Sequence, residues 1–434
     1  MTVRGAALLG VGAMVGAGIF ALLGEAGAVA GAAAWISFLL AGVVSVLIGY
    51  NVVKLGVRYP SSGGLFQYLL EGFGNGRLLG IAAWLGYMSA VLIVCSMCAV
   101  SFGDYAVSLF VSDGGADWWD NVFTSAIVVA MALVVVVGPQ LVAKAQTFIV
   151  VVMVGILAVF VAVTLPTIDL DKLSFSDYPP VSDIVASVAL TFFAYLGFSV
   201  ITFAAGDMRD PARDLPKAMN RALGVTTIVY VLVAVSVFGT LTVDEVVQYG
   251  PTAIAEAGRP ALGDAGFTMI AIAAMVGMAG SVVATLYASS GLTGMLSDVG
   301  QFPPFFGRGS RLGAKSGVLI SAAVVLVVAN TVDLSAIASV GSACSLMIFV
   351  LVGAAGYRLR RETGAKAWLI MVGIGVTLVV LAFFVVDTFR NAPETFTAII
   401  VIGLLAVVLD VVWKHARGPL RSTDKTPVAP SSPV

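Results

Sequence analysis

The sequence predicts an all-α polytopic membrane protein with about twelve transmembrane helices. Three observations carry that expectation. Of 434 residues, 59% are hydrophobic and only 11% are charged, where a soluble domain carries about 25% charged residues. Mean hydropathy is +1.04, so most of the outer surface faces lipid. The apolar residues also gather into stretches of about 20, the length that crosses a bilayer as a helix.

In order, those stretches are 5–31, 33–55, 78–110, 120–138, 143–165, 182–205, 219–241, 265–297, 315–331, 334–355, 366–386 and 394–413. The first is longer than the roughly 7–15-residue apolar core of a cleavable signal. Placing the N-terminus in the cytoplasm and alternating puts 20 of the 23 Lys and Arg residues on the cytoplasmic side. Only Lys172, Arg259 and Arg390 fall outside. A missing span would scramble this split, so the bias supports an even count with both termini cytoplasmic, in a cell (inner) membrane. The outer loops are acidic instead, with Asp113, Asp117, Asp120, Asp169, Asp171, Asp177, Asp244 and Glu245. The chain reads as one transmembrane domain, 1–416. It holds a first five-helix repeat (5–165), a second (182–355) and two further helices (366–413). The Pro/Ser/Thr-rich residues 417–434 read as a disordered cytoplasmic tail.

Several function classes drop out. A net charge of -1 offers nucleic acid no basic field. Cys95 and Cys98 are spaced C-x-x-C, but no further Cys or His joins them as a zinc site needs, so with Cys344 they read as small packing residues. The single histidine, His415, sits between Lys414 and Arg417 at a span end. Without clustered His, Asp or Glu at membrane depth the chain is not expected to be an enzyme, and no cofactor or metal is implied. Trp84, Trp118, Trp119 and Trp413 read as interfacial belt residues, and Asp410 as an interfacial charge.

Two spans carry glycine where a helix should be strong. The first reads Gly10-Val-Gly-Ala-Met-Val-Gly-Ala-Gly-Ile-Phe20, and the sixth Thr191-Phe-Phe-Ala-Tyr-Leu-Gly-Phe-Ser199. Each internal Gly costs about 1 kcal/mol relative to Ala, so both spans are expected to break. They are corresponding members of two five-helix halves, and paired breaks point to a 5+5 inverted-repeat transporter with its site between them. The amides of Ala17, Gly18 and Ile19 suit a carboxylate at a helix N-terminus. The carbonyls of Ala194 and Tyr195 suit an ammonium group. Phe193, Tyr195 and Phe198 could wall a side-chain pocket. The competing reading is a Gly-rich face for close helix packing.

At these residues the chain resembles the amino acid–polyamine–organocation superfamily, whose members share the LeuT-type fold. The resemblance rests on four ordered motifs: Gly16-Ala-Gly-Ile-Phe20, Tyr59-Pro-Ser-Ser-Gly-Gly64, Phe192-Phe-Ala-Tyr-Leu-Gly-Phe198 and Asp207-Met-Arg-Asp-Pro-Ala-Arg-Asp-Leu-Pro-Lys217. It implies carboxylate contacts from Gly16, Ala17, Gly18 and Ile19, and amine contacts from Phe193, Ala194 and Tyr195. It also implies a secondary active transporter of amino acids, a symporter or exchanger working by alternating access. The alternatives are a polyamine or inorganic-ion carrier of this fold, or a nutrient sensor that binds without transporting. Ser199 stands where many members place Glu. Met153 stands where some proton-coupled relatives carry a Lys in helix 5, which removes that coupling device. Heteromeric relatives use an extracellular Cys to hold a partner subunit. The loop 111–120 has none, so no disulfide-linked partner is expected.

Two coupling ions fit the sequence. A Na⁺ site of this fold joins helix 1 carbonyls, here near Gly12 and Val15, to helix 8 hydroxyls, here Ser289 and Ser290. Those hydroxyls could equally bond back to their own helix. For H⁺, the candidates are Glu25 and Asp104, near the outer ends of the first and third spans, which could equally be interfacial charges.

Overall fold

The computed structural model describes residues 1–111, 118–307, 315–332, 334–391 and 393–417. The tail beyond Arg417, the loop residues Asp113 and Asp117, and Arg308 and Arg311 lie outside the described residues. In chain order the α-helices are α1 (Val3–Ala30), α2 (Ala34–Arg58), α3 (Leu65–Phe73), α4 (Arg77–Gly86), α5 (Val94–Phe110), α6 (Trp118–Val137), α7 (Pro139–Thr164), α8 (Val181–Phe193), α9 (Val200–Phe203) and α10 (Pro211–Thr240). There follow α11 (Val243–Tyr249), α12 (Ala253–Glu256), α13 (Arg259–Leu262), α14 (Asp264–Asp298), α15 (Lys315–Ala329), α16 (Leu334–Arg358), α17 (Arg360–Thr363), α18 (Ala367–Asn391) and α19 (Pro393–Arg417).

Each of the twelve apolar stretches corresponds to a helix or a jointed pair of helices. Among the described residues, nine helical segments are long and apolar enough to cross a bilayer, and a tenth is the bent pair α8–α9. The first of the nine covers 56 residues, far more than one crossing needs. It reverses at Gly31, whose φ of 55° only glycine adopts freely, so α1 and α2 are two passes. The 15-residue α15 is a shorter apolar helix. The third pass is one continuous rod in which a π-helical stretch, Tyr87–Ile93, joins α4 to α5. The protein is therefore a multi-pass α-helical membrane protein.

Burial places α1 at the centre. It packs on α10 and α14, and α14 in turn on α5 and α7. At the periphery, α18 and α19 expose rows of Val, Leu and Phe, the surface lipid covers. Two sequence expectations change here. Trp84 is buried and stacks on Phe302 at 4.0 Å instead of lying in an interfacial belt. Asp410 is also buried, and Lys414 one turn on forms an ion pair with it at 2.7 Å. A buried carboxylate needs such a partner. At the start of α10 the cap is Asp210, which accepts from the Arg213 amide, with Pro211 in the first turn; Pro216 lies inside the helix.

Candidate functional site

The glycines of α1 face the break in the sixth span. After α8 ends at Phe193 the chain makes a turn and a 3₁₀ stretch, Leu196–Ser199, before α9, and the two arms are bent by 41°. The turn forms because the amides of Ala194, Tyr195 and Phe198 bond three residues back, to Thr191, Phe192 and Tyr195. That pattern leaves the Ala194 carbonyl free for another donor. Gly197 sits directly on the backbone of Ala13 and Met14, and Gly18 on Ala194. A side chain at either glycine would collide, so this close approach is what the two glycines make possible.

One hydroxyl ties the junction together. Tyr230 of α10 is fully buried and donates to the Met14 carbonyl at 2.6 Å and to the Ala194 carbonyl at 3.0 Å. Tyr195 donates across to Phe38 on α2 at 2.9 Å, and its ring meets that of Tyr230 edge to face. On the opposite side of α1, Ser281 of α14 reaches the carbonyls of Gly12 at 3.0 Å and Ala13 at 3.4 Å. Gly16 lies against the backbone of Gly277. Phe198 stacks on Phe349 of α16 at 5.2 Å, and Phe193 covers Gly341.

Beside this junction is a cavity of about 50 Å³, room for about four water molecules. Ala13, Gly197, Phe203, Thr285, Ser345 and Phe349 are among its walls, and no described residue lining it is charged. Leu65 and Phe66 of α3 close it on the side of the Tyr59–Gly64 loop. Tyr59 itself donates to Glu362 at 2.6 Å. Burial and that carboxylate push its phenol up to about 12.

The predicted residues are thus brought together in part, and two expectations are corrected. First, α1 is a single helix from Val3 to Ala30 and does not break at Gly16–Ile19. The amides of Ala17, Gly18 and Ile19 are helical donors, and the Ala17 side chain lies outside the described residues. Glycine's cost was weighed for a helix on its own. Here the missing side chains let α14, α8 and α10 close onto α1, and tertiary packing overrides propensity. The carbonyls assigned to an ammonium group are occupied as well: Ala194 by Tyr230 and Tyr195 by the Phe198 amide. Second, Ser289 and Ser290 do not meet Gly12 and Val15. Ser289 bonds back to Leu286 at 2.7 Å. Both serines lie about 12–14 Å further along α14 than Ser281, at 1.5 Å per residue. Val15 is buried beside the Gly16–Gly277 contact. Met153 fills the slot at Gly277. Glu25 and Asp104 stand away from the cavity. Glu25 follows Gly24, which packs on Gly250, and Asp104 follows Gly103, which faces Asp120 and Thr124.

Four polar residues at the junction escaped the sequence reading: Tyr230, Ser281, Thr285 and Ser345. The signal available was their isolation within apolar runs, since a lone polar group at membrane depth turns inward. Cys95, Cys98 and Cys344 are buried free thiols, and no group of three or more metal-binding side chains occurs among the described residues.

A bundle of membrane-crossing helices folded around an uncharged central cavity, with one jointed crossing at its wall, has the form of a membrane transporter. The chain belongs to the amino acid permease family, whose model matches residues 2–409. It is 28% identical over 407 residues to the inner membrane transport protein YbaT of Escherichia coli, covering 94% of each chain. It is 26% identical over 321 residues to the methylthioribose transporter of Bacillus subtilis, 69% of this chain and 68% of the relative. With the branched-chain amino acid permease BcaP of the same organism it shares 27% identity over 248 residues, 54% and 53% of the two chains. The protein is accordingly a transporter of small molecules and not an enzyme.

Proposed function

We propose that the chain carries small neutral α-amino acids by alternating access, with the substrate held between Gly16–Ile19 of α1 and the break at Phe193–Phe198. The observation that carries this reading is the pairing at three successive carbonyls of α1. In an α-helix the amides of residues 16, 17 and 18 bond the carbonyls of 12, 13 and 14. Those three carbonyls also accept hydroxyls, Gly12 and Ala13 from Ser281 and Met14 from Tyr230. If α1 unwinds here, the two hydroxyls stay within reach of those carbonyls, and three amides are released toward a carboxylate. Displacing Tyr230 from Ala194 frees a carbonyl for the ammonium group.

The uncharged walls favour a substrate whose two charges are met by backbone dipoles, and the cavity size favours a short side chain. Polyamines would need acids at the junction. The same proposal includes the basic face as cytoplasmic and an inverted-repeat relation between α1–α7 and α8–α16. The relatives named for methylthioribose and for branched-chain amino acids mark the neighbouring substrate classes to be tried.

The test is uptake into proteoliposomes of labelled amino acids, methylthioribose and putrescine. A Na⁺ gradient, a H⁺ gradient or internal amino acid is imposed in separate arms. Concentrative uptake or exchange of neutral amino acids supports the proposal, and the arm that drives it identifies the coupling. Binding without accumulation or exchange would assign a sensor, and uptake of putrescine or methylthioribose alone would refute the substrate class.

A further inference from the structure

We infer that Gln146 of α7 is a positioning residue whose unpaired carboxamide biases the N-terminal half of α1 toward opening. The inference rests on the alternating-access reading above.

Gln146 is 2% exposed, and neither its Nε2 nor its Oε1 has a hydrogen-bond partner among the described residues. It occupies a slot made by two absent side chains. Its Nε2 lies against Gly12 of α1, and Gly280 of α14 faces it from the other side, with Val150 and Ile149 beside it. The nearby carbonyls of Gly12 and Ala13 are bound by Ser281. A carboxamide carries two donors and a two-lone-pair acceptor, so this group sits buried and without a protein partner at a three-helix contact. Burying it so is unfavourable in proportion to the bonds lost.

The same residue forms part of the wall of a groove of about 900 Å³ at the N-terminal end of α1, with Thr2, Leu9, Lys144, Phe148 and Tyr287. When α1 moves off α7, water in that groove reaches the amide and the penalty disappears. The closed arrangement therefore carries a cost that the open one lacks. An apolar side chain of similar length would remove it and hold α1 shut.

The test uses Gln146→Leu and Gln146→Met in the full-length protein. Thermal unfolding and the alkylation rate of a Leu9→Cys reporter need no substrate; the natural cysteines are buried. Both variants should unfold at higher temperature than the parent. Leu9→Cys should be alkylated roughly ten-fold more slowly in them, the shift expected when one unsatisfied group is removed from one side of a two-state equilibrium. Turnover in proteoliposomes should fall with it. A group that served packing alone would lower thermal stability when replaced and leave alkylation unchanged, and that result overturns the inference. The parent Leu9→Cys protein is also alkylated with and without a mixture of the common α-amino acids. A response there, with no slowing in either Gln146 variant, sinks this inference alone. No response in the parent sinks the alternating-access reading and this inference with it.

Discussion

Gly12 and Gly16 offer a paired experiment, because a Cβ added at either lands at the same distance from its nearest neighbour. The neighbours differ. At Gly16 it is the backbone carbonyl of Gly277, held within α14. At Gly12 it is the terminal amide of Gln146. Replacing either glycine by alanine gains up to about 1 kcal/mol of helix propensity. For Gly12→Ala the obstacle yields by turning a side chain, at roughly 0.5–1.5 kcal/mol, so the net effect is near zero. For Gly16→Ala two helix backbones must part, and overpacking of that kind costs about 1–3 kcal/mol or more. With Ser281 then drawn off Gly12 and Ala13, the upper end applies. The variants should differ by about 2 kcal/mol. At ~2 cal/mol/K of unfolding entropy per residue, a chain this long shifts its midpoint by about 1 °C per kcal/mol. Differential scanning fluorimetry in one detergent should therefore place Gly16→Ala about 2 °C below Gly12→Ala, and its uptake should be at least ten-fold lower. Equal midpoints, or normal uptake by Gly16→Ala, would refute the assignment of α1–α14 contact to the missing side chain.

Tyr230→Phe removes the donor shared by Met14 and Ala194. At about 1 kcal/mol per bond and more for an orphaned buried carbonyl, stability should fall by about 2 kcal/mol and uptake should drop; unchanged values in both would exclude a role at the junction. Lys414→Met leaves Asp410 buried without its cation, so it should be less stable than the double variant Asp410→Leu/Lys414→Met. A double-mutant cycle in thermal unfolding checks this, and a double variant below both singles would contradict it. Bonds from the Thr242 backbone and side chain hold the exposed Glu245 carboxyl below its ordinary value. The capping box at α11 is then complete above that ordinary value, about 4.3, and is lost as pH falls through the lower folded value. Hydrogen exchange of residues 243–249 should lose protection on acidification, and Glu245→Gln should flatten the dependence.

The sequence made the helical segments legible because a bilayer imposes a length, and 20 apolar residues in a row have few other uses. It also revealed the break in the sixth span, where Tyr195, Gly197 and Ser199 interrupt an apolar run. What stayed hidden was tertiary. Whether Gly16 and Gly18 break α1 or let neighbours approach it depends on what stands opposite, and Gly277 and Ala194 are 261 and 176 positions away. The hydroxyl that meets Gly12 is Ser281, because the register of α14 against α1 is set by glycine contacts no local pattern reveals. Asp410 and Trp84 looked interfacial from their distance to the span ends, yet α19 and α4 pack those faces inward.

An unbroken α1 is compatible with a site at Gly16–Ile19, for an energetic reason. A helix permanently open at membrane depth must keep several backbone groups satisfied without water, each costing several kcal/mol if it fails. A helix closed but prepared carries that cost only when ligand is present. Here the carbonyl half of the preparation is built in, through Ser281 and Tyr230. Opening then exposes chiefly amides, in a stretch where two glycines have little helix preference to lose. A carboxylate accepting three amides gains roughly 1.5–3 kcal/mol for each charge-assisted bond, more than such an opening costs. Because a ligand shifts an equilibrium only by its differential affinity for the two states, on the proposed reading unwinding of α1 would depend on a bound carboxylate. A substrate analogue lacking that group, such as the corresponding amine, should bind without drawing α1 open.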